Sequence, residues 1–206
     1  AVLYLSGSIP QSEAIRDRMR AMGVGIMRTP DMGNSLDVVA SFPCWAADNG
    51  CFSAKWDPTR WLAFLTRFAS VPTCLFAVCP DVVGDAVATR TRWDEWAPTV
   101  RALGYPVAYV LQDGEDGSTI PADADWLFIG GSTQYKLSTT VAGIVAVTAL
   151  PVHMGRVNSI RRLALAARFG CTSADGTFLA YGAEANIGIL EAAVRTARQP
   201  MLERVS

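Results

Sequence analysis

The sequence predicts one compact α/β domain over residues 1–206, a (β/α)8 barrel of the TIM type. Three observations predict it. Short apolar runs alternate with helical patterns along the whole chain, the pattern of βα units around a parallel sheet. Several runs are unbroken rather than alternating, as strands covered on both faces require. Eight such runs in 206 residues sit near the lower size limit of the fold, so insertions must be few. An open flavodoxin-like sheet is the competing architecture.

The candidate strands are 1–6, 24–28, 43–47, 73–79, 106–111, 126–130, 151–154 and 169–174. The first, Ala-Val-Leu-Tyr-Leu, lacks the basic flank and cleavage site of a secretory signal and reads as a strand. A helix over 11–22 follows Pro10, with Ser12 at its N-cap. The helix over 58–69 opens with Asp57-Pro58, an N-cap followed by Pro at the first helical position. The helix over 85–103 carries Trp93, Trp96 and Val100 at helical spacing and ends before Gly104. Acidic, Gly-rich 113–125 reads as loop. Helices over 138–148, 157–168 and 184–198 complete the pattern. No linker, low-complexity tract or internal repeat divides the chain.

Half of the residues are hydrophobic and 18% are charged, which excludes disorder. The net charge is −1, so a polyanion must be met by a local patch rather than by bulk attraction. The 18 basic residues include only two lysines, Lys55 and Lys136. Arg suits bidentate phosphate contacts, and a GC-rich genome produces the same bias. Cys44, Cys51, Cys74, Cys79 and Cys171 form no short paired spacing and the single His is His153, so neither a disulfide framework nor a zinc site is expected. The longest apolar stretch, Thr140 to Val152, is too short to span a bilayer. A cytoplasmic location without membrane contact is expected; oligomeric state is not readable.

In a barrel the chemistry collects at the C-terminal strand ends. Those ends read Asp48-Asn49-Gly50-Cys51-Phe52, Asp81-Val82-Val83-Gly84-Asp85, Gln112-Asp113-Gly114, Gly130-Gly131-Ser132, His153-Met154-Gly155-Arg156 and Ala174-Asp175-Gly176. Each has a plainer reading. Asp-Asn-Gly and Asp-Gly are ordinary turn formers, Gly-Gly relieves crowding, Gln112 can cap a helix, Phe52 and Met154 can be core, and a lone His is commonly structural. Together the residues suit a planar heteroaromatic ring, with carboxylates and amides on its edge, backbone N–H groups on a carbonyl, and apolar side chains on its faces.

This order resembles the tRNA-guanine transglycosylases, and more closely the zinc-free phage and bacterial relatives that place 7-deazaguanines in DNA. The resemblance spans roughly residues 44–177. It implies Asp175 as the covalent nucleophile on the sugar and Asp48 as general acid/base. It implies that Asp81 and Gln112 read the guanine edge, that Gly130 and Gly131 hold the base, and that Phe52 and Met154 stack on it. The partners it implies are DNA, with the guanine nucleotide flipped or single-stranded, and a free 7-deazaguanine such as preQ0. The family's C-terminal Cys/His zinc segment and its Pro-Thr-Arg continuation of strand eight are missing, which argues against tRNA. No cofactor is expected. The phosphate chain is assigned to Lys136, Arg156, Asn158 and Arg161, around the start of the helix after strand seven, where amide N–H groups also favour anions; solvated arginines at a helix start are the plainer reading.

Three alternatives stay open: a related enzyme acting on RNA, a non-catalytic nucleic-acid-binding barrel, and an aldolase-like barrel in which Lys136 forms a Schiff base. Against the last stands position. Lys136 lies about six residues beyond its strand, whereas such a lysine is expected to point inward from the strand itself.

Overall fold

A computed structural model describes residues 2–33, 35–53 and 56–198. Eight parallel strands close into a barrel in sequence order, β1 to β8. They are β1 Leu3–Ser6, β2 Gly25–Arg28, β3 Trp45–Ala47, β4 Cys74–Val78, β5 Val107–Leu111, β6 Trp126–Ile129, β7 Val152–Met154 and β8 Ser173–Gly176. The closing seam pairs Leu3 with Ser173 through Ser6 with Gly176. The helices are α1 Glu13–Ala21, α2 Leu36–Ala40, α3 Pro58–Phe68, α4 Ala86–Ala102, α5 Thr133–Lys136, α6 Thr139–Val147, α7 Ile160–Phe169 and α8 Ala183–Arg198. The open-sheet alternative is excluded by the β1–β8 seam. Residues 112–125 form the expected loop.

Side-chain alternation divides the sheet into two layers. Leu5, Met27, Ala46, Phe76, Val78, Ala108 and Val110 fill the barrel interior. Tyr4, Ile26, Trp45, Ala77, Tyr109, Leu127 and Met154 face outward into the larger layer beneath the helices. Ser12 occupies the N-cap position of α1 without a side-chain capping hydrogen bond, whereas other helix starts follow the capping chemistry of the sequence. Asp57 accepts from the N–H groups of Thr59 and Arg60 at α3, Asp85 from Ala88 at α4, and Ser159 from Arg162 at α7.

Two elements depart from expectation. The last strand begins at Ser173, not 169, because α7 continues to Phe169 and Gly170 ends it in the left-handed conformation, φ 88°. Asp175 therefore lies within β8 rather than beyond it. The short helices α2 and α5 were not expected from periodicity, since neither is long enough to show any.

Candidate active site

The C-terminal ends of the strands surround a cavity of about 200 Å³. Asp48 follows β3, Asp81 follows β4, Gln112 follows β5, and Gly130 and Gly131 follow β6. Lys136, Arg156 and Asp175 add charged groups to the lining, beside Thr29, Asn49 and Thr177, and Phe52 stands at its rim, 64% exposed. Met27, Val78, Val110 and Phe128 form its apolar floor.

Asp175 points inward from β8. Its Oδ1 lies 2.9 Å from His153 Nε2 and accepts the Arg156 backbone N–H at 3.3 Å. His153 Nδ1 lies 2.8 Å from Ser173 Oγ, and both residues are fully buried. The imidazole stacks on Phe128 at 4.8 Å and meets Phe76 edge-on at 5.1 Å. Strands β7 and β8 pair His153 with Ser173, so the imidazole holds Asp175 from below. This contact was not read from the sequence. The signal was the alternation of β7, in which only one of His153 and Met154 faces the interior.

Asp48 retains a face on the cavity, and its carboxyl is pushed up to about 7, chiefly by burial and secondarily by the charge of Asp175. Asp81 is also raised by burial, against the hydrogen bonds it accepts. Its two oxygens accept from Asn49 Nδ2 at 2.7 Å and Gln112 Nε2 at 2.5 Å, while Gln112 Oε1 accepts the Gly84 N–H at 2.9 Å. The expected ring-reading pair is thus engaged within the protein. Gly130 is likewise committed, because its N–H donates to Leu111 O and it is needed for close packing. A Cβ there would lie 2.6 Å from Val110 Cγ1. The carbonyl of Gly131 accepts from Arg156 Nη2.

Lys136 is not held out toward a polynucleotide, as its assignment to the phosphate chain of DNA expects. Ser132 caps α5 by accepting the Tyr135 N–H, and buried Tyr135 anchors the turn by donating to Glu115 O at 2.9 Å. That single turn folds the lysine back over the mouth. It is 7% exposed, and its Nζ donates to Gly155 O at 2.6 Å. Burial and the nearby Arg156 charge lower its ammonium from 10.5 to about 7. The positional objection to an imine-forming lysine is therefore removed: α5 supplies from a loop the inward placement that a strand would give.

The other expected ligands diverge. Met154 faces outward from β7 and lines a second recess, so it does not form a stacking pair with Phe52. The Phe52 ring instead packs against the Arg156 guanidinium at 4.1 Å. Asn158 Oδ1 accepts the Thr177 N–H at 2.8 Å and ties the β7 and β8 loops together. Arg161 is exposed on α7 and lines neither cavity. Among the described residues, no three His, Cys, Asp or Glu side chains form a metal cluster, and no helix is long and apolar enough to cross a membrane.

No protein-family model and no curated protein matches the chain. Solved structures do. A chain of the Amycolatopsis orientalis BexX/CysO complex superimposes with a TM-score of 0.61 at 18% identity, covering 96% of this chain and 88% of that one. Tryptophan synthase from M. tuberculosis gives 0.63 at 15%, covering 97% and 93%. The 3-hexulose-6-phosphate synthase of Salmonella typhimurium gives 0.58 at 10%, covering 96% and 100%. These likenesses establish the barrel. They also correct the resemblance to tRNA-guanine transglycosylases: no transglycosylase is among these neighbours. The physical reason is on the strand ends. Asp-Asn-Gly, Gly-Gly and Asp-Gly recur wherever a short barrel turns tightly out of a strand, and their order does not distinguish one chemistry from another.

Proposed function

We propose that the protein is an enzyme that makes or breaks a carbon–carbon bond next to a small carbonyl compound through an imine on Lys136. The observation that carries this reading is a buried amine, lowered to about 7, on the wall of a mouth cavity that also holds Asp48 and Asp175. Among the barrels resembling this chain are tryptophan synthase and 3-hexulose-6-phosphate synthase, which agrees with such chemistry without assigning it.

The neutral amine adds to the carbonyl carbon, and the resulting carbinolamine loses water to give the iminium. Asp48, poised near 7, donates the proton that leaves with the hydroxyl. The iminium draws the electron pair of the adjacent bond as that bond breaks. Asp48, left ionised by the preceding step, removes the proton of the departing hydroxyl fragment, and the pair remains as an enamine. Protonation of the enamine carbon and addition of water release the second carbonyl product and restore the amine. Asp175, held by His153, offers its carboxylate to the cationic iminium.

The test is reductive trapping. Dihydroxyacetone with sodium cyanoborohydride should leave a secondary amine on Lys136, located by peptide mass mapping. Lys136→Met should carry none there. Absence of the adduct from the wild-type protein would refute the reading.

A further inference from the structure

Lys136 and Arg156 form a partition. One side faces the mouth cavity, and the other faces a second recess of about 190 Å³ between α5 and the start of α7. Arg162 reaches into this recess from α7, where its Nη1 donates to Arg156 O at 3.4 Å. Two guanidiniums and the Lys136 amine therefore line one small space. Among the described residues, none of the three forms an ion pair with a carboxylate. The field of Asp175 reaches both Lys136 and Arg156, and Arg156 also feels Asp113 and Asp81, but no carboxylate is among the residues lining the recess, and Arg156 and Arg162 both oppose the lysine's charge. The N-terminal turn of α7 adds positive potential, since Asn158 and Arg162 bracket it.

Clustered like charges in a half-enclosed space repel one another, and an anion placed among them removes that cost. We propose that the recess is an anion site for the phosphate monoester of a small carbonyl substrate, whose reacting carbon then lies across the partition at Lys136. A fork of two guanidiniums matches three phosphate oxygens better than it matches an uncharged group. The recess is closed on several sides, and Arg161, the remaining cation of this segment, lies outside it. A single phosphate group fits this geometry better than a polynucleotide chain, which needs a track. The anion site stands on the cation cluster alone. Assigning its phosphate to the substrate rests on the imine reading above.

The experiment has two arms on the full chain. In the first, inorganic phosphate is titrated into the protein at low ionic strength and followed by calorimetry. Saturable binding is expected, weakened about tenfold or more in Arg162→Gln and partly restored in Arg162→Lys. Absence of binding, or equal binding to wild type and Arg162→Gln, overturns the site. In the second, dihydroxyacetone phosphate is compared with dihydroxyacetone in cyanoborohydride trapping at Lys136. The phosphorylated compound should saturate trapping at a concentration about tenfold or more lower, and Arg162→Gln should abolish that advantage. Equal saturation of both compounds overturns the substrate assignment while the anion site stands. Phosphate binding without any adduct refutes the imine alone. Tight, steeply salt-dependent binding of an oligonucleotide that Arg162→Gln abolishes would overturn the small-molecule assignment in favour of nucleic acid.

Discussion

Reductive trapping admits a quantitative expectation. An amine at 10.5 is neutral in roughly one molecule in 3,000 at pH 7, whereas one at about 7 is neutral in about half. Burial of Lys136 therefore raises the reactive fraction by about 10³. Lower basicity costs intrinsic nucleophilicity. With a dependence like that of thiols, a slope of about 0.4, roughly a fiftyfold net advantage remains at neutral pH. The trapping rate at Lys136 should rise with a midpoint near pH 7. The chain carries only one other lysine, Lys55, so peptide mapping distinguishes selective from indiscriminate modification in a single digest. A midpoint near 10 at Lys136, or labelling shared equally with Lys55, would refute the argument that the fold activates this amine.

Three further outcomes follow from burial and packing. The folded Asp48 holds its proton to about pH 7 while the unfolded chain releases it near 3.8, so stability falls as pH rises between these values, by at most about 4 kcal/mol. Asp48→Asn should flatten that slope in urea unfolding and raise stability at pH 8; an unchanged slope would show that the carboxyl is well hydrated. Lys136 has the opposite sign, because the folded state gives up its proton near 7 and the unfolded chain near 10.5, so its burial is penalised below pH 7 and relieved as pH rises through that window. Lys136→Met should be more stable than wild type at pH 6 and should lose the rise from 7 to 10; lower stability at pH 6 would contradict a buried, unpaired ammonium. Gly176→Ala would set a Cβ 2.3 Å from Val157 O and 2.6 Å from Tyr4 Oη, and should cost about 1–3 kcal/mol in thermal unfolding, whereas an unchanged melting temperature would mean that β7 and β8 shift apart freely.

The barrel was legible because its signals are local. Asp57-Pro58 starts α3, and apolar runs bounded by turn residues mark the strands. The eighth strand was displaced because Phe169-Gly170-Cys171 has the composition of a strand entry, while the backbone at Gly170 closes a helix. The site was legible in part. Asp48, Asp81, Gln112 and Asp175 do meet around one cavity, since strand ends of a closed barrel have nowhere else to converge. Their partners were not legible. Asp81 with Gln112 and Asp175 with His153 are contacts across strands, set by register. Met154 was placed in the pocket by its motif and is out of it by parity. Lys136 was assigned to a phosphate chain, and the imine alternative was marked down, because the residue lies beyond its strand; only the anchoring of Tyr135 turns it inward.

The β1–β8 seam also bears on how the polypeptide emerges from the ribosome. Leu3 finds its partner only when Ser173 has been made, and α1 meets α8 through the bidentate contact of Arg18 with Glu191. Until then β1 has one neighbour and an open edge, as does each newest strand in turn. Nascent chains of this protein thus carry an unpaired parallel edge throughout synthesis. Whatever shields that edge in the cell must act until the last βα unit leaves the exit tunnel.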